Sequence, residues 1–272
     1  KKFLSLNWSG IELAILLRKR LEELTQSSTD RRKSPEERFN AILREYFKHI
    51  PIDITFTFNG RQYQMPLFMY VLRHTIWRPR EVLLYYAQII TVSEDLRKKH
   101  GYEVTSEVIR RIVKDVTHDI INSEFINEFE STVTNIRDII LAFYKQNQTL
   151  SYETVSQIVQ GLDFKFASGS QKCETINDKI EFLYRIGFLG VLADEQMFAQ
   201  MHLQLRHAFH FNEGEAPIRG FGGVERELTG YRFLVHPMFS EYLEINTSQN
   251  ELILQFSWQY LHEREVMLFA SH

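Results

Sequence analysis

Capped helical segments follow one another through most of this chain, and that punctuation restricts it to a mainly helical fold. Ser9-Gly10-Ile11-Glu12 is a capping box, in which the serine hydroxyl accepts the N3 amide and Glu12 reaches back to the cap. Ile11, Ala14, Leu17, Leu21 and Leu24 then recur every three or four residues as one apolar stripe. After a polar connection at 25–33, Ser34-Pro35-Glu36-Glu37 restarts a helix whose buried face is predicted to be Phe39, Ile42, Leu43, Tyr46 and Phe47. Residues 66–75 read as helical. Pro79 suits the first turn of a long helix that Gly101 ends, and Thr105 caps a further one through Val116.

One stretch has a different period. Ile52, Ile54, Phe56 and Phe58 alternate with polar residues, Asn59-Gly60 follows, and Tyr63 and Met65 resume the alternation. Asn-Gly between alternating runs predicts a β-hairpin, because both turn residues must accept positive φ. Charge then changes sign along the chain: residues 97–114 carry six basic side chains against two acidic, and residues 115–136 carry five acidic and no Lys or Arg. This switch suggests a domain boundary near 120, giving a helical region over 1–120 and a second domain over 121–272; two solvated helical faces are the plainer alternative.

The second half is read as a helix over about 125–147, a short one at 152–161 capped by Ser151, a loop, and a helix capped by Thr175-Ile176-Asn177-Asp178. Strand-like runs follow at 188–192, 203–211 and 231–235, with a Gly-rich stretch at 212–230, and Pro237 opens a short helix over 238–243. Three helices and a strand pair with a long tip is the plan of a winged helix. The dense apolar set at 251–269 is expected to dock back on the body.

Composition narrows the function classes. Net charge is −3, from 32 basic and 35 acidic residues, so nothing in the whole-chain charge favours nucleic acid or an anionic membrane. No apolar stretch approaches the roughly 20 residues of a membrane span. The single cysteine, Cys173, excludes an intrachain disulfide and argues for a reducing, cytoplasmic setting. The N-terminus lacks a signal-peptide profile and the first residue is not Met, which suggests an excised part of something longer.

Motifs of autonomous chemistry are missing from the sequence: no Gly-Lys dipeptide and hence no phosphate loop, no H-E-x-x-H, no C-x-x-C and no G-x-S-x-G. No catalytic or metal residue is assigned, and no cofactor is expected in this chain itself. Gly214, Gly220, Gly222 and Gly223 lie between strands, without the strand-to-helix context that aims amides at a phosphate, and read as a wing tip. His202, His207, His210 and His236 gather in the same region; residues 207 and 210 fall on opposite faces of a strand, which disfavours zinc. Cys173 sits in a polar loop with no activating neighbour in sequence.

The cluster Arg73, Trp77, Arg78 and Arg80 carries the most chemistry. Two arginines bracketing Pro79 at a helix start offer guanidinium groups to a phosphate, in a field the helix N-terminus reinforces. A surface ion-pair set around Glu81 is the structural alternative. For DNA or a protein partner the candidates are Lys179 and Arg185, but Asp178 and Glu181 balance them, so nucleic acid is not favoured.

Trp77-Arg78-Pro79-Arg80-Glu81-Val82-Leu83, with the helices after it and the order over 125–245, resembles the C-terminal part of bacterial STAND-type P-loop ATPases, relatives of AAA+ proteins. Phe233-Leu234-Val235-His236-Pro237-Met238-Phe239 is similar to their winged-helix end, and Asn7-Trp8-Ser9 to their exit from the nucleotide core. The resemblance implies a lid followed by a winged helix, with Arg80 first and Arg78 second in the arginine role that senses the terminal phosphates. It also implies an upstream core that holds ATP and Mg, since phosphate loop and acidic metal strand are both absent here. Such ATPases commonly serve prokaryotic signalling or defence. The expected function is a regulatory module coupling nucleotide state in that core to partner binding or self-association; the rival is a winged-helix DNA-binding regulator.

Overall fold

The computed structural model describes residues 8–27, 32–58, 61–101, 103–168, 173–192, 209–210 and 231–246. It is mostly helical with small sheets, as the punctuation predicts. The chain divides into two compact units between Thr117 and His118.

The first unit contains α1 (Gly10–Thr25), α2 (Pro35–Tyr46), the strands β1 (Asp53–Phe58) and β2 (Arg61–Pro66), α3 (Leu67–Leu72), α4 (Pro79–His100) and most of α5 (Ser106–Ile120). Both predicted capping boxes are formed: Ser9 and Ser34 hydroxyls accept the amides of Glu12 and Glu37 at 3.1 Å, and each glutamate accepts its cap's amide at 2.8 Å. Gly101 ends α4 at φ 64°, the left-handed position that removal of a Cβ permits. β1 and β2 pair antiparallel from Asp53 opposite Pro66 to Phe58 opposite Arg61; Asn59-Gly60 itself lies outside the described residues. The Thr55 amide donates to the Ser106 hydroxyl at 3.0 Å, tying the hairpin to the start of α5. Two residues assigned to buried stripes lie elsewhere: Leu24 and Tyr46 are exposed, each in the last turn of its helix. The core is Leu13, Leu17, Ile42, Ile89 and all of α3, with Phe39 packed edge-on against Phe68 and Tyr86.

The second unit begins with a π-helical turn, Ile121–Phe125, followed by α6 (Ile126–Glu130), α7 (Ile136–Leu141), β3 (Thr149–Ser151), α8 (Tyr152–Gln160), α9 (Ile176–Arg185), β4 (Leu189–Leu192), β5 (Phe209–His210), β6 (Arg232–Val235) and a 3-10 turn, Pro237–Phe239. The continuous helix expected over 125–147 is therefore broken. Residues 131–135 are polar or β-branched; the Ser131 hydroxyl donates to the Glu128 carbonyl at 2.8 Å, the Thr134 amide donates to the Lys165 carbonyl, and the Ala167 amide donates to the Thr132 carbonyl. The short helix expected over 238–243 is likewise only a 3-10 turn that runs into further turns, with Glu244 at φ 47°. The sheet order is β3-β6-β4-β5, all antiparallel. A chain of edge-to-face or tilted rings, Phe143–Phe188–Phe239–Phe125–Phe129, with centroids 4.9–5.0 Å apart, fills the core, and each pair contributes about 0.5–1.5 kcal/mol beyond its buried area. Most of the 203–211 run, the Gly-rich stretch and the apolar set at 251–269 lie outside the described residues.

Candidate functional site

Residues 73–78 join α3 to α4, and buried side chains hold them. Thr75, fully buried, donates its hydroxyl to the Leu72 carbonyl at 2.8 Å and accepts the Trp77 amide at 3.3 Å. Glu81, only 1% exposed in the first turn of α4, turns its carboxylate back to accept the Ile76 amide at 2.8 Å. One turn further along α4, Tyr85 donates its hydroxyl to the His74 carbonyl at 2.9 Å and meets the Thr117 hydroxyl at 2.6 Å. The His74 imidazole points the other way, donating Nδ1–H to the Tyr70 carbonyl at 2.7 Å; burial first, and then the Arg73 guanidinium, pushes its pKa down to about 3, so it is neutral and structural.

The consequence is an unusual backbone. Trp77 has φ 61°, a left-handed conformation that costs a bulky L-residue about 1–2 kcal/mol. Thr75 accepts its amide, and Glu81 and Tyr85 bond the two residues before it, Ile76 and His74. Arg78 follows as the extended N-cap residue of α4, at φ −95° and ψ 135°, Pro79 takes the first helical position, and Arg80 the next, with its side chain exposed. Both arginines thus stand at the opening of a 22-residue helix, where backbone amides point outward and a negative charge is favoured. The carboxylate at the centre of the alternative set around Glu81 lies inside and not at the surface. Thr75, Tyr85 and Thr117 escape the sequence reading; Glu81 at the third helical position after a Pro carries the one usable signal, an acceptor suited to reach back toward the helix start.

The second unit distributes its candidates differently. Lys179 is turned inward: its ammonium donates to the Val159 and Leu162 carbonyls at 3.1 and 2.6 Å, capping the end of α8, and lies 5.7 Å from the centre of the Phe164 ring. Arg185 is exposed on the last turn of α9 and bonds Glu181 one turn back. These two do not share a surface role. Cys173 is half-buried, its thiol donating to the Asp178 carbonyl at 3.6 Å, and burial together with Asp178 pushes its pKa up to about 11, the reverse of an activated thiolate. His236 is buried and its Nδ1 accepts the Met238 amide at 3.1 Å, an N-cap role; His202, His207 and the four clustered glycines lie outside the described residues. A polar cluster not expected from sequence brackets the π-helical turn, where Arg137 donates to Asn122 and Tyr242 at 2.9 and 3.1 Å.

Among the described residues no group of three or more His, Cys, Asp or Glu is placed to hold a metal ion, and no helix is long and apolar enough to cross a membrane. No family model matches the chain, and no match to it is found among curated proteins or solved structures.

Proposed function

We propose that this chain is the regulatory C-terminal module of a STAND- or AAA+-like P-loop ATPase, a helical lid followed by a winged helix, and that Arg80, seconded by Arg78, contacts the terminal phosphates of a nucleotide held by an upstream core. The observation that carries the reading is the strained entry to α4. A left-handed tryptophan braced by buried Glu81 and Tyr85 delivers two arginines to the start of a long helix, and strain of this kind collects where a fold must present a ligand contact in one geometry. Guanidinium groups there suit an anion; the neighbouring carboxylate faces inward onto Ile76, so Mg would be held by the core and not by these residues.

The winged-helix part of the reading is supported by the succession α7, β3, α8, α9, β4, β6 and by the strand order β3-β6-β4, in which the last strand lies between the first two. Binding of DNA by this unit is the weaker reading, since Lys179 is spent on the end of α8 and Arg185 faces Glu181. In the module, phosphate contact with Arg80 favours one state of the lid over another, and the differential contact sets the population that partners meet.

The test uses the chain joined to its upstream core, comparing wild type with Arg80→Ala and Arg78→Ala. Loss of a phosphate-facing guanidinium lowers nucleotide affinity or turnover by about tenfold or more, with Arg80 the larger effect and the circular dichroism spectrum unchanged. Equal affinity and turnover in the Arg80 variant sinks the assignment, as does an upstream sequence without a phosphate loop. Retention of duplex DNA at low salt would promote the rival reading instead.

A further inference from the structure

The buried contact between Tyr85 and Thr117 has one proton too few. Three oxygen pairs meet there: Tyr85 hydroxyl with the His74 carbonyl at 2.9 Å, Tyr85 hydroxyl with the Thr117 hydroxyl at 2.6 Å, and Thr117 hydroxyl with the Val113 carbonyl at 2.7 Å. Each hydroxyl supplies a single hydrogen, and carbonyls supply none. Only two of the three contacts are hydrogen bonds at any moment. In one arrangement Thr117 donates to Tyr85 and Tyr85 donates to His74. In a second Tyr85 donates to Thr117 and Thr117 donates to Val113, and the His74 carbonyl loses this donor; in a third both hydroxyls donate to carbonyls and the 2.6 Å pair carries no proton. Both hydroxyls are shut away from water, at 0% and 3% residue exposure, and burial pushes the tyrosine pKa upward, so neither proton leaves.

We propose that Tyr85 and Thr117 are a two-state hydroxyl relay that regulates the loop carrying Trp77, Arg78 and Arg80, holding it in one state and releasing it in the other. The arrangements contain the same number of bonds, so they are comparable in energy, which is the condition for a small displacement to change their populations. Thr117 belongs to α5 and is the residue at which the chain leaves the first unit. A shift of α5 that lengthens the Tyr85–Thr117 distance breaks their bond and leaves the tyrosine proton on His74; a shift that keeps it short admits the arrangement in which that proton turns to Thr117. The relay acts on loop order alone. Its consequence for ligand binding rests on the assignment of the arginines given above.

Hydrogen exchange of the 74–77 amides, measured without nucleotide and referred to the α1 amides of Leu13 and Leu17, separates this from ordinary packing. Tyr85→Phe keeps the ring and removes the donor, and loop exchange becomes about fivefold faster. Thr117→Val keeps the shape and removes the competitor, leaving the tyrosine proton to His74 alone, and loop exchange becomes about twofold slower. Thr117→Ser restores wild-type rates. Opposite signs support the relay. Acceleration by Thr117→Val, or no change, overturns it, and that variant decides the matter even if Tyr85→Phe fails to fold. Because no nucleotide is present, a failure of Arg80→Ala to affect affinity leaves this result standing, and the reverse also holds.

Discussion

Replacing Glu81 by alanine probes the geometry on which the site depends. The carboxylate is 1% exposed, accepts the Ile76 amide at 2.8 Å and lies in the first turn of α4. A hydrogen bond to a charged group contributes about 1.5–3 kcal/mol, and a carboxylate at a helix N-terminus adds about 0.3–1 kcal/mol. Alanine removes both and leaves the Ile76 amide without this acceptor, so the expected loss is about 2–4 kcal/mol. Glutamine keeps an acceptor oxygen and the volume but not the charge, and the expected loss is about half of that. Glu23 provides the contrast. It meets Arg20 at the same 2.8 Å, but the two side chains are 66% and 61% exposed, and Glu23→Ala is expected to cost less than about 1 kcal/mol. Urea unfolding followed by far-UV circular dichroism gives all three values. A loss below about 1 kcal/mol for Glu81→Ala, or one equal to that of Glu23→Ala, would refute the claim that this buried carboxylate braces the loop.

Two further outcomes follow from the same structure. His74 has a folded pKa below the ordinary 6.5, so its neutral form stabilises the fold; that contribution is complete above pH 6.5 and is lost as pH falls toward 3. Urea midpoints taken between pH 7 and pH 4 should therefore drop more steeply for wild type than for His74→Gln, and parallel slopes would count against it. Lys179→Met, which keeps the aliphatic stem and removes two bonds to the end of α8, is expected to cost about 1–2 kcal/mol in a thermal melt, whereas Arg185→Ala on the same helix stays within about 0.5 kcal/mol; equal effects would contradict their different placement.

Local rules account for a large share of the first unit and less of the second. The serine caps, Pro79, Gly101 and the alternation from Ile52 to Met65 each express a constraint that acts within a few residues: an unsatisfied amide, a fixed φ, a missing Cβ, a two-residue period. Such constraints read the same in an isolated segment and in the fold, so the helix starts and the hairpin are legible in the bare chain. The break at 131–135 is not, because an irregular segment about thirty residues on, around Lys165, pairs with it through the isolated Val133–Phe166 bridge. Nor is β3, whose three residues are too short for a period and are held by β6.

The candidate site divides along the same line. Residue order alone places Arg78 and Arg80 on either side of a helix-opening proline. Tertiary structure alone decides that Glu81 faces inward, that Thr117, thirty-two positions beyond Tyr85, meets its hydroxyl, and that Trp77 adopts a left-handed backbone. Lys179 and Arg185 look alike in sequence; only packing turns one into a helix cap and leaves the other at the surface. The physical reason is that burial and the pairing of polar groups depend on which surfaces meet, and no local period encodes that.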